Sequence, residues 1–425
     1  MNRLIIIGNG FDLAHGLNTR YSDFIDWYWD CWWKKLMKSM NKKEEDNLCR
    51  FILEDNHDFS CFWELWNYFA NQFDENTPGK EVIKAIKNDE DFSNYCKFES
   101  KSELFETICR SYESNKWVDI ENIFYGLLCK KASSIKSPKK TNDDLEFIKK
   151  ELINYLKKIQ NGITEDITRK EIHDKLFEPI KNQDIAISSM NSWNDMLKQR
   201  LKIKENAWLD LVSAYRNPGR IRDAIYYIER FIEDNAKRIE GMICNDNPIE
   251  SIPNEYCLPD MTMLLNFNYT TIADYYFKPN ERLIINHIHG KLDTLQSVIF
   301  GYGDELDEQY QALVNKKENH YLDNIKSIKY LESPNYRQLL SFIDADAFQI
   351  YIMGHSCGNS DRTLLNTLFE HRNCVSIKPF YYMRSKDSDN YMDLVQNISR
   401  NFTDMKLMRD RVVNKKYCEP LLVND

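Results

Sequence analysis

Four short polar segments of this sequence each follow an apolar run, and their residue types could do chemistry. They are Gly8-Asn9-Gly10-Phe11-Asp12, Asn266-Phe267-Asn268, His287-Ile288-His289-Gly290 and Gly354-His355-Ser356. Glycines let a backbone approach a phosphate closely, amide side chains can hold ribose hydroxyls, and histidine can accept a proton near neutral pH. Together these residue types suit a site that binds a nucleotide and moves a proton beside it.

The first two segments also have purely structural interpretations. Gly16 stands six residues after Gly10, so the first segment is not the G-x-G-x-x-G fingerprint of dehydrogenases. The glycine pair could equally form a turn before a helix that Asp12 caps. Asn266 and Asn268, which share a face of the strand end, could equally form a turn after a core strand.

The residue types of the last two segments could also bind a metal ion or supply a catalytic nucleophile. His287 and His289 could share a metal ion, but no cluster of Asp, Glu or Cys stands nearby in sequence, so we predict no metal site. A hydrogen-bonded core role is favoured for His287 and a general-base role for His289. Cys357 is too close in sequence to His355 for a productive nucleophile pair, so a ligand-binding loop is favoured there. Asp361 or the preceding serine is expected to cap the next helix.

The apolar runs before these segments predict the strands that position them. They are short and rich in β-branched residues, as in strands buried on both faces of a parallel sheet. Because ligands of open α/β sheets bind at the carboxyl ends of strands, we expect the four segments to meet at one cleft. The predicted strands lie within 3–7, 261–270, 282–291, 297–303, 347–356 and 373–382.

A long region of helical texture separates the first predicted strand from the others. From Tyr21 to about Glu240, aromatic and apolar residues recur at helical spacing and glycine is scarce. We therefore predict an α/β fold with a Rossmann-like parallel sheet that is interrupted by a large, mostly helical insertion. Residues 1–21 and 256–425 would form the nucleotide-binding core, and residues 22–255 would form the insertion, a lid over the cleft.

Composition narrows the class of protein. The chain has 425 residues, a net charge of −9 and no apolar run near the roughly 20 residues that cross a bilayer, so we expect a soluble, cytoplasmic protein with no leader and no membrane partner. Its 11 cysteines are scattered without a Cys-x-x-Cys pair, which predicts reduced thiols and no zinc module. The acidic balance argues against a nucleic-acid partner, although the basic run at 130–140 leaves one open.

The set of motifs resembles that of the AbiH-type phage abortive-infection proteins. The shared features are IIIGNGFDLAHGL, FNYT, HIHG and GHSCGNSD in this order, and WVDIENIFY at 117–125 resembles a tryptophan-acidic helix of that family's insertion. More distantly, the core is similar to sirtuin-like NAD-binding domains, which have a glycine start, a strand-end Asn, a His-Gly pair and a late Gly-x-Ser loop. Thr270 replaces their usual Asp, Asn18 replaces their usual Pro, and their zinc-binding cysteines are missing.

The sirtuin-like resemblance implies NAD as substrate or ligand, and the missing zinc module favours cleavage of the nicotinamide–ribose bond over deacetylation. Such cleavage passes through an oxocarbenium-like ribose. Asn268 would orient the ribose or the water, His289 would accept a proton, and Asp12 would orient nicotinamide. The residues expected to line the bound nucleotide are Gly8, Asn9, Gly10, Phe11, Gly16, Asn266, Gly290, Gly354, His355, Ser356 and Asp361.

The sequence thus predicts a phage-defence effector that depletes NAD or a related nucleotide. One alternative is a nucleotide-sensing module that binds a signal through the same loops without chemistry. Another is a nuclease effector, although the sequence lacks a convincing acidic metal cluster. A phage-derived trigger and a homo-oligomer remain open.

Overall fold

This computed structural model describes residues 1–54, 59–88, 92, 94–115, 118–134, 136–200, 254–278 and 282–422. Its strands form a central parallel sheet of five strands, an antiparallel sheet of three strands and an antiparallel pair. The strands are β1 (Asn2–Ile7), β2 (Lys43–Glu45), β3 (Cys49–Leu53), β4 (Cys96–Ser100), β5 (Thr262–Asn266), β6 (Leu283–His287), β7 (Phe348–Met353), β8 (Cys374–Phe380), β9 (Met383–Ser385) and β10 (Ser388–Asp389).

The central sheet has the order β6-β5-β1-β7-β8, with all four pairings parallel. Along the chain this order is third, second, first, fourth, fifth, so the direction of winding reverses between β1 and β7. That order is found in doubly wound sheets, where the ligand site lies at the carboxyl ends of the strands on either side of the reversal. The predicted parallel sheet is confirmed: four of its strands lie within predicted ranges, and β1 begins one residue before the range 3–7.

Burial on both faces explains the unbroken apolar runs. All six residues of β1 are buried. Leu4 and Ile6 pack into the core on one face of the sheet, and Ile5 and Ile7 pack into the core on the other. Because successive side chains of a strand point to opposite faces, both faces must be apolar when both are covered.

Helices cover the sheet and form most of the region between β1 and β5. They are α1 (Asn9–Ala14), α2 (Tyr21–Leu36), α3 (Phe62–Tyr68), α4 (Gly79–Asn88), α5 (Glu103–Asn115), α6 (Ile120–Ser133), α7 (Lys139–Gln160), α8 (Lys170–Leu176), α9 (Glu308–Val314), α10 (Lys326–Lys329), α11 (Asn335–Ala345), α12 (Arg362–Phe369), α13 (Tyr391–Arg400) and α14 (Met405–Arg411). In α12 the predicted apolar face is confirmed, because Leu364, Leu365 and Leu368 are buried. None of the described helices is both long and apolar enough to cross a membrane.

The predicted insertion is mostly helical where it is described, but it also contains the antiparallel sheet β2-β3-β4, which the sequence did not predict. Strand β3 shows the alternating burial of a strand covered on one face. Its Phe51 contacts the rings of Trp32 and Phe98, so it belongs to the aromatic core of the insertion. The part of the predicted insertion at 201–253 lies outside the described residues.

Packing does not follow the predicted division into 1–21, 22–255 and 256–425. Ile172 and Leu176 of the insertion pack with Ile5 against the central sheet. Conversely, Phe300 and Tyr302, from the second part of the predicted core, pack in the aromatic cluster of the insertion. The predicted division into a core and an insertion therefore stays a prediction.

The predicted strand at 297–303 is wrong. That stretch is irregular, with one isolated bridge between Tyr302 and Ile325. Its apolar residues, Val298 and Phe300 among them, are buried because the segment crosses over the insertion's core, not because it joins a sheet. Gly301 has φ +154 there and a Cβ would lie 2.0 Å from the Asn324 carbonyl oxygen, so this position requires glycine.

Candidate functional site

A cavity of about 410 Å³ lies where the loops after β1, β5, β6 and β7 meet. All four polar segments of the sequence contribute to it, through Gly10, Asn268, His289 and Ser356 among others. The helical region supplies the opposite wall. The wall residues from that region are Tyr21, Ser22, Val118, Asp119, Glu121, Leu152 and Leu156. The volume is in the range of small-molecule sites, and the position is the one that the strand order predicts for a ligand.

Most of the predicted site residues line this cavity, and four do not. Of the four, Phe11 packs in the core against the His15 and Tyr276 rings, and Asn266 lies behind the loop that it supports. Gly290 has φ +82 and forms a tight turn against Ser297. The fourth is Gly16. The lining residues are Gly8, Asn9, Gly10, Asp12, Asn268, His289, Gly354, His355, Ser356 and Asp361.

The glycines of the first segment are needed for packing between loops. A Cβ on Gly8 would lie 2.7 Å from the His355 Cα, and a Cβ on Gly10 would lie 2.8 Å from the Gly354 Cα. The Gly10 amide donates to the Gly354 carbonyl at 2.8 Å. The close approach expected for a pyrophosphate is therefore occupied, at these two positions, by the chain's own 354–355 backbone.

Asp12 and Asn268 form the centre of the cavity's floor. Asn268 Nδ2 donates to Asp12 Oδ1 at 2.6 Å and to the Gly8 carbonyl at 2.9 Å, and Thr270 Oγ1 donates to Asp12 Oδ2 at 2.8 Å. Burial raises the pKa of Asp12 to about 7, against the lowering effect of these two hydrogen bonds. Asp12 lies inside α1, and no side chain caps that helix, so the capping interpretation is wrong.

Asn266 and His287 support this floor from behind. Asn266 Oδ1 accepts a hydrogen bond from the Asn268 backbone at 2.8 Å, and its Nδ2 lies 3.2 Å from His287 Nδ1. His287 Nε2 lies 2.7 Å from Asp274 Oδ1, in a position that is 5 % exposed. These contacts are those of a structural histidine.

His289 is fully engaged by protein groups. Its Nδ1 lies 3.2 Å from the Phe267 carbonyl, which can only accept, so Nδ1 carries the hydrogen. Its Nε2 lies 3.1 Å from the Tyr330 hydroxyl and 3.2 Å from Asp361 Oδ1. Burial, followed by the nearby Lys326 ammonium, lowers the pKa of His289. Both ring nitrogens therefore have protein partners.

Asp361 belongs to a buried charge network. Lys326 Nζ lies 2.8 Å from both Asp361 Oδ1 and Glu121 Oε2, and the lysine is 1 % exposed. Burial by itself would raise the pKa of Asp361, but the Lys326 ammonium and His289 hold it well below its usual range. Asp361 stands at the N-cap position of α12, as the sequence predicted, but its side chain makes no cap bond to the helix.

Glu121 and Lys326 are the residues that sequence reasoning missed. Glu121 lies in the first turn of α6, inside the WVDIENIFY stretch, so that stretch contained a signal. Lys326 stands at the start of α10 with no motif around it. Burial raises the pKa of Glu121, and Lys326 opposes that effect.

The late glycine loop is rigidly held. Cys357 has φ +54, which is uncommon for a residue other than glycine, and its amide donates to His355 Nδ1 at 3.0 Å. The Cys357 carbonyl accepts from Asn401 at 2.9 Å. The thiol is fully buried and burial raises its pKa, so it is not a nucleophile.

The fold and the cavity define an α/β protein with a cavity of small-molecule size at the carboxyl edge of a five-stranded parallel sheet. The family described as bacteriophage abortive infection AbiH has a sequence model that matches residues 4–383. The chain belongs to that family, which indicates a role in phage abortive infection. No curated protein and no solved structure gives a significant match. Among the described residues, no group of three or more His, Cys, Asp or Glu side chains is placed to hold a metal ion.

Proposed function

We propose that this chain is an abortive-infection effector with a sirtuin-like, Rossmann-like core that binds NAD or a related nucleotide and hydrolyses its nicotinamide–ribose bond. The observation that carries the proposal is the Asp12–Asn268 pair, buried in a cavity at the reversal of the parallel sheet. A carboxyl with a pKa of about 7 beside an amide is suited to proton transfer next to a sugar.

Binding would use groups on both walls of the cavity. Asn268 gives its amide hydrogens to Gly8 and Asp12, which leaves its Oδ1 to accept a ribose hydroxyl. Arg20 lines the cavity with a solvent-exposed side chain and would meet the phosphates. Leu152 and Leu156 offer apolar surface to a base or to nicotinamide.

In the proposed reaction the bond between ribose C1′ and the nicotinamide nitrogen breaks, and its electron pair leaves with nicotinamide. A water molecule adds to C1′ and gives its proton to ionised Asp12. The ionised Asp361 carboxylate would stabilise the positive charge that develops on the ribose. Asp12 takes the base role here, in place of His289 as the sequence suggested, because both His289 ring nitrogens already have protein partners.

The test is to incubate the purified chain with NAD, with and without phage lysate, and to measure nicotinamide. Loss of a general base lowers a rate by about 10²–10⁴-fold, and we expect Asp12→Asn and Asn268→Ala to lose release to that extent while staying folded. His320→Ala, at an exposed histidine that does not line the cavity, is the matched control and should keep full activity.

Two results would decide against the proposal. Wild-type protein that binds NAD but releases no nicotinamide under any phage trigger would favour the nucleotide sensor. Wild-type protein that neither binds nor cleaves NAD would refute NAD as the ligand.

A further inference from the structure

A buried lysine joins the helical region to the candidate site. Lys326 Nζ bridges Glu121 Oε2 on α6 and Asp361 Oδ1 on the loop after β7, at 2.8 Å each. Asp361 in turn lies 3.2 Å from His289 Nε2, on the loop after β6. We propose that Glu121 and Lys326 are positioning residues of this site: they hold the Asp361 carboxylate against His289, so that the site is complete only with α6 in place. This inference rests on the proposed function.

The burial of the three groups makes the arrangement specific. The Lys326 side chain is 1 % exposed, and those of Glu121 and Asp361 are 8 % and 9 % exposed. A buried ammonium is stable only when it is paired and hydrogen-bonded, and here two carboxylates share it. Glu121 Oε1 also accepts the Gly301 amide at 3.2 Å, and the Lys326 amide donates to the Tyr302 carbonyl. Both partners of the bridge are thus fixed by backbone contacts.

The shared lysine determines where negative charge lies in the cavity. With Lys326 present, Asp361 remains ionised next to His289. Without it, the carboxyls of Glu121 and Asp361 would face each other with no cation between them. Like charges in a buried site cannot both stay ionised, so the two groups would share one proton. Asp361 would then no longer be a fixed carboxylate beside the ribose.

Other charged and titratable groups face the Glu121–Lys326–Asp361 network and contribute to the pH dependence of its charge. They are Asp119, Tyr21, Tyr269, Tyr330, His289 and His355. Asp119 precedes α6 and caps it through the Asn122 amide, so it belongs to the same wall as Glu121.

The experiment compares Lys326→Met, Glu121→Gln and the double variant. We expect Lys326→Met to lower kcat for nicotinamide release on the order of 100-fold, with KM for NAD little changed, because a preorganised charge acts mainly on the transition state. Glu121→Gln alone should lower kcat less, since the Lys326–Asp361 pair survives. The double variant should recover part of the activity that Lys326→Met loses, because one carboxylate no longer competes for the proton.

A structural role for Lys326 gives a different pattern. If the lysine only fills space, the double variant loses at least as much activity as the two single variants together, and that result would overturn the proposal. Lys149→Met is the matched control: Lys149 is also largely buried and paired with one glutamate, Glu146, but it does not line the cavity. It should leave kcat unchanged.

A second readout separates this inference from the proposed function. In histidine-labelled protein, with the His289→Gln variant used to assign the signal, NMR titration follows the His289 imidazole without any substrate. Lys326→Met should change the His289 pKa, since the Lys326 cation lowers it and the Asp361 carboxylate raises it. If nicotinamide is never released, the proposed function fails, and the titration still tests the positioning. An unchanged His289 titration in a folded Lys326→Met protein would overturn the positioning.

Discussion

Replacing Thr270 by valine removes one of the two side-chain hydrogen bonds that the Asp12 carboxylate accepts. Thr270 Oγ1 donates to Asp12 Oδ2 at 2.8 Å, and the threonine is 1 % exposed. Valine has a similar shape but no hydroxyl. The change therefore acts on the charge of Asp12 with little effect on packing.

The magnitude follows from this hydrogen bond. A hydrogen bond to a charged group contributes about 1.5–3 kcal/mol, and one pKa unit corresponds to about 1.36 kcal/mol. Because the bond stabilises the ionised form, its loss raises the Asp12 pKa from about 7 by about 1–2 units. If ionised Asp12 is the base, its ionised fraction at pH 7 falls from about half to about 1–10 %, so nicotinamide release at pH 7 falls roughly 5- to 50-fold.

The assay is kcat for nicotinamide release measured between pH 5 and about pH 10. In Thr270→Val the rise of activity with pH should move to higher pH, and activity should recover on the alkaline side. Thr270→Ser keeps the hydroxyl and serves as the control, with a profile like that of wild type. A loss of activity that is the same at every pH, or a profile shifted to lower pH, would refute the role given to Asp12.

Three further outcomes are expected. Folding raises the Asp12 pKa from 3.8 to about 7, so ionisation of Asp12 should lower the free energy of unfolding by up to about 4 kcal/mol as pH rises through that window. In urea unfolding, Asp12→Asn should lose less stability than wild type over the same pH range, and an equal loss would contradict the raised pKa. Gly354→Ala should lower stability by about 1–3 kcal/mol, since Gly354 has φ +75 and a Cβ would lie 2.1 Å from the Phe11 nitrogen; an unchanged melting temperature would contradict this. His289→Ala should reduce phage protection in plaque assays while the protein stays folded, because Asp361 loses its His289 contact, whereas His287→Ala should mainly lower stability, and the reverse pattern would exchange their roles.

The strands of the central sheet and the positions of the polar segments were predictable because the signals are local. An apolar β-branched run that ends in glycine, asparagine or histidine specifies a buried strand and the loop after it, whatever lies elsewhere in the chain. This was enough to place Gly10, Asn268, His289 and Ser356 at one edge of one sheet. The same local pattern wrongly predicted a strand at 297–303, where apolar residues are buried in an irregular connection.

Only the tertiary structure decided what those residues touch. Asp12 and Asn268 are 256 positions apart, and Lys326 is 205 positions from Glu121, so no spacing in the sequence could pair them. The need for glycine at position 10 likewise comes from the distant 354–355 backbone. The sequence by itself determined which residues stand at strand ends, because periodicity and turn residues act over a few positions. Which carboxyl is ionised depends on burial and on charges from distant segments, and these exist only in the folded chain.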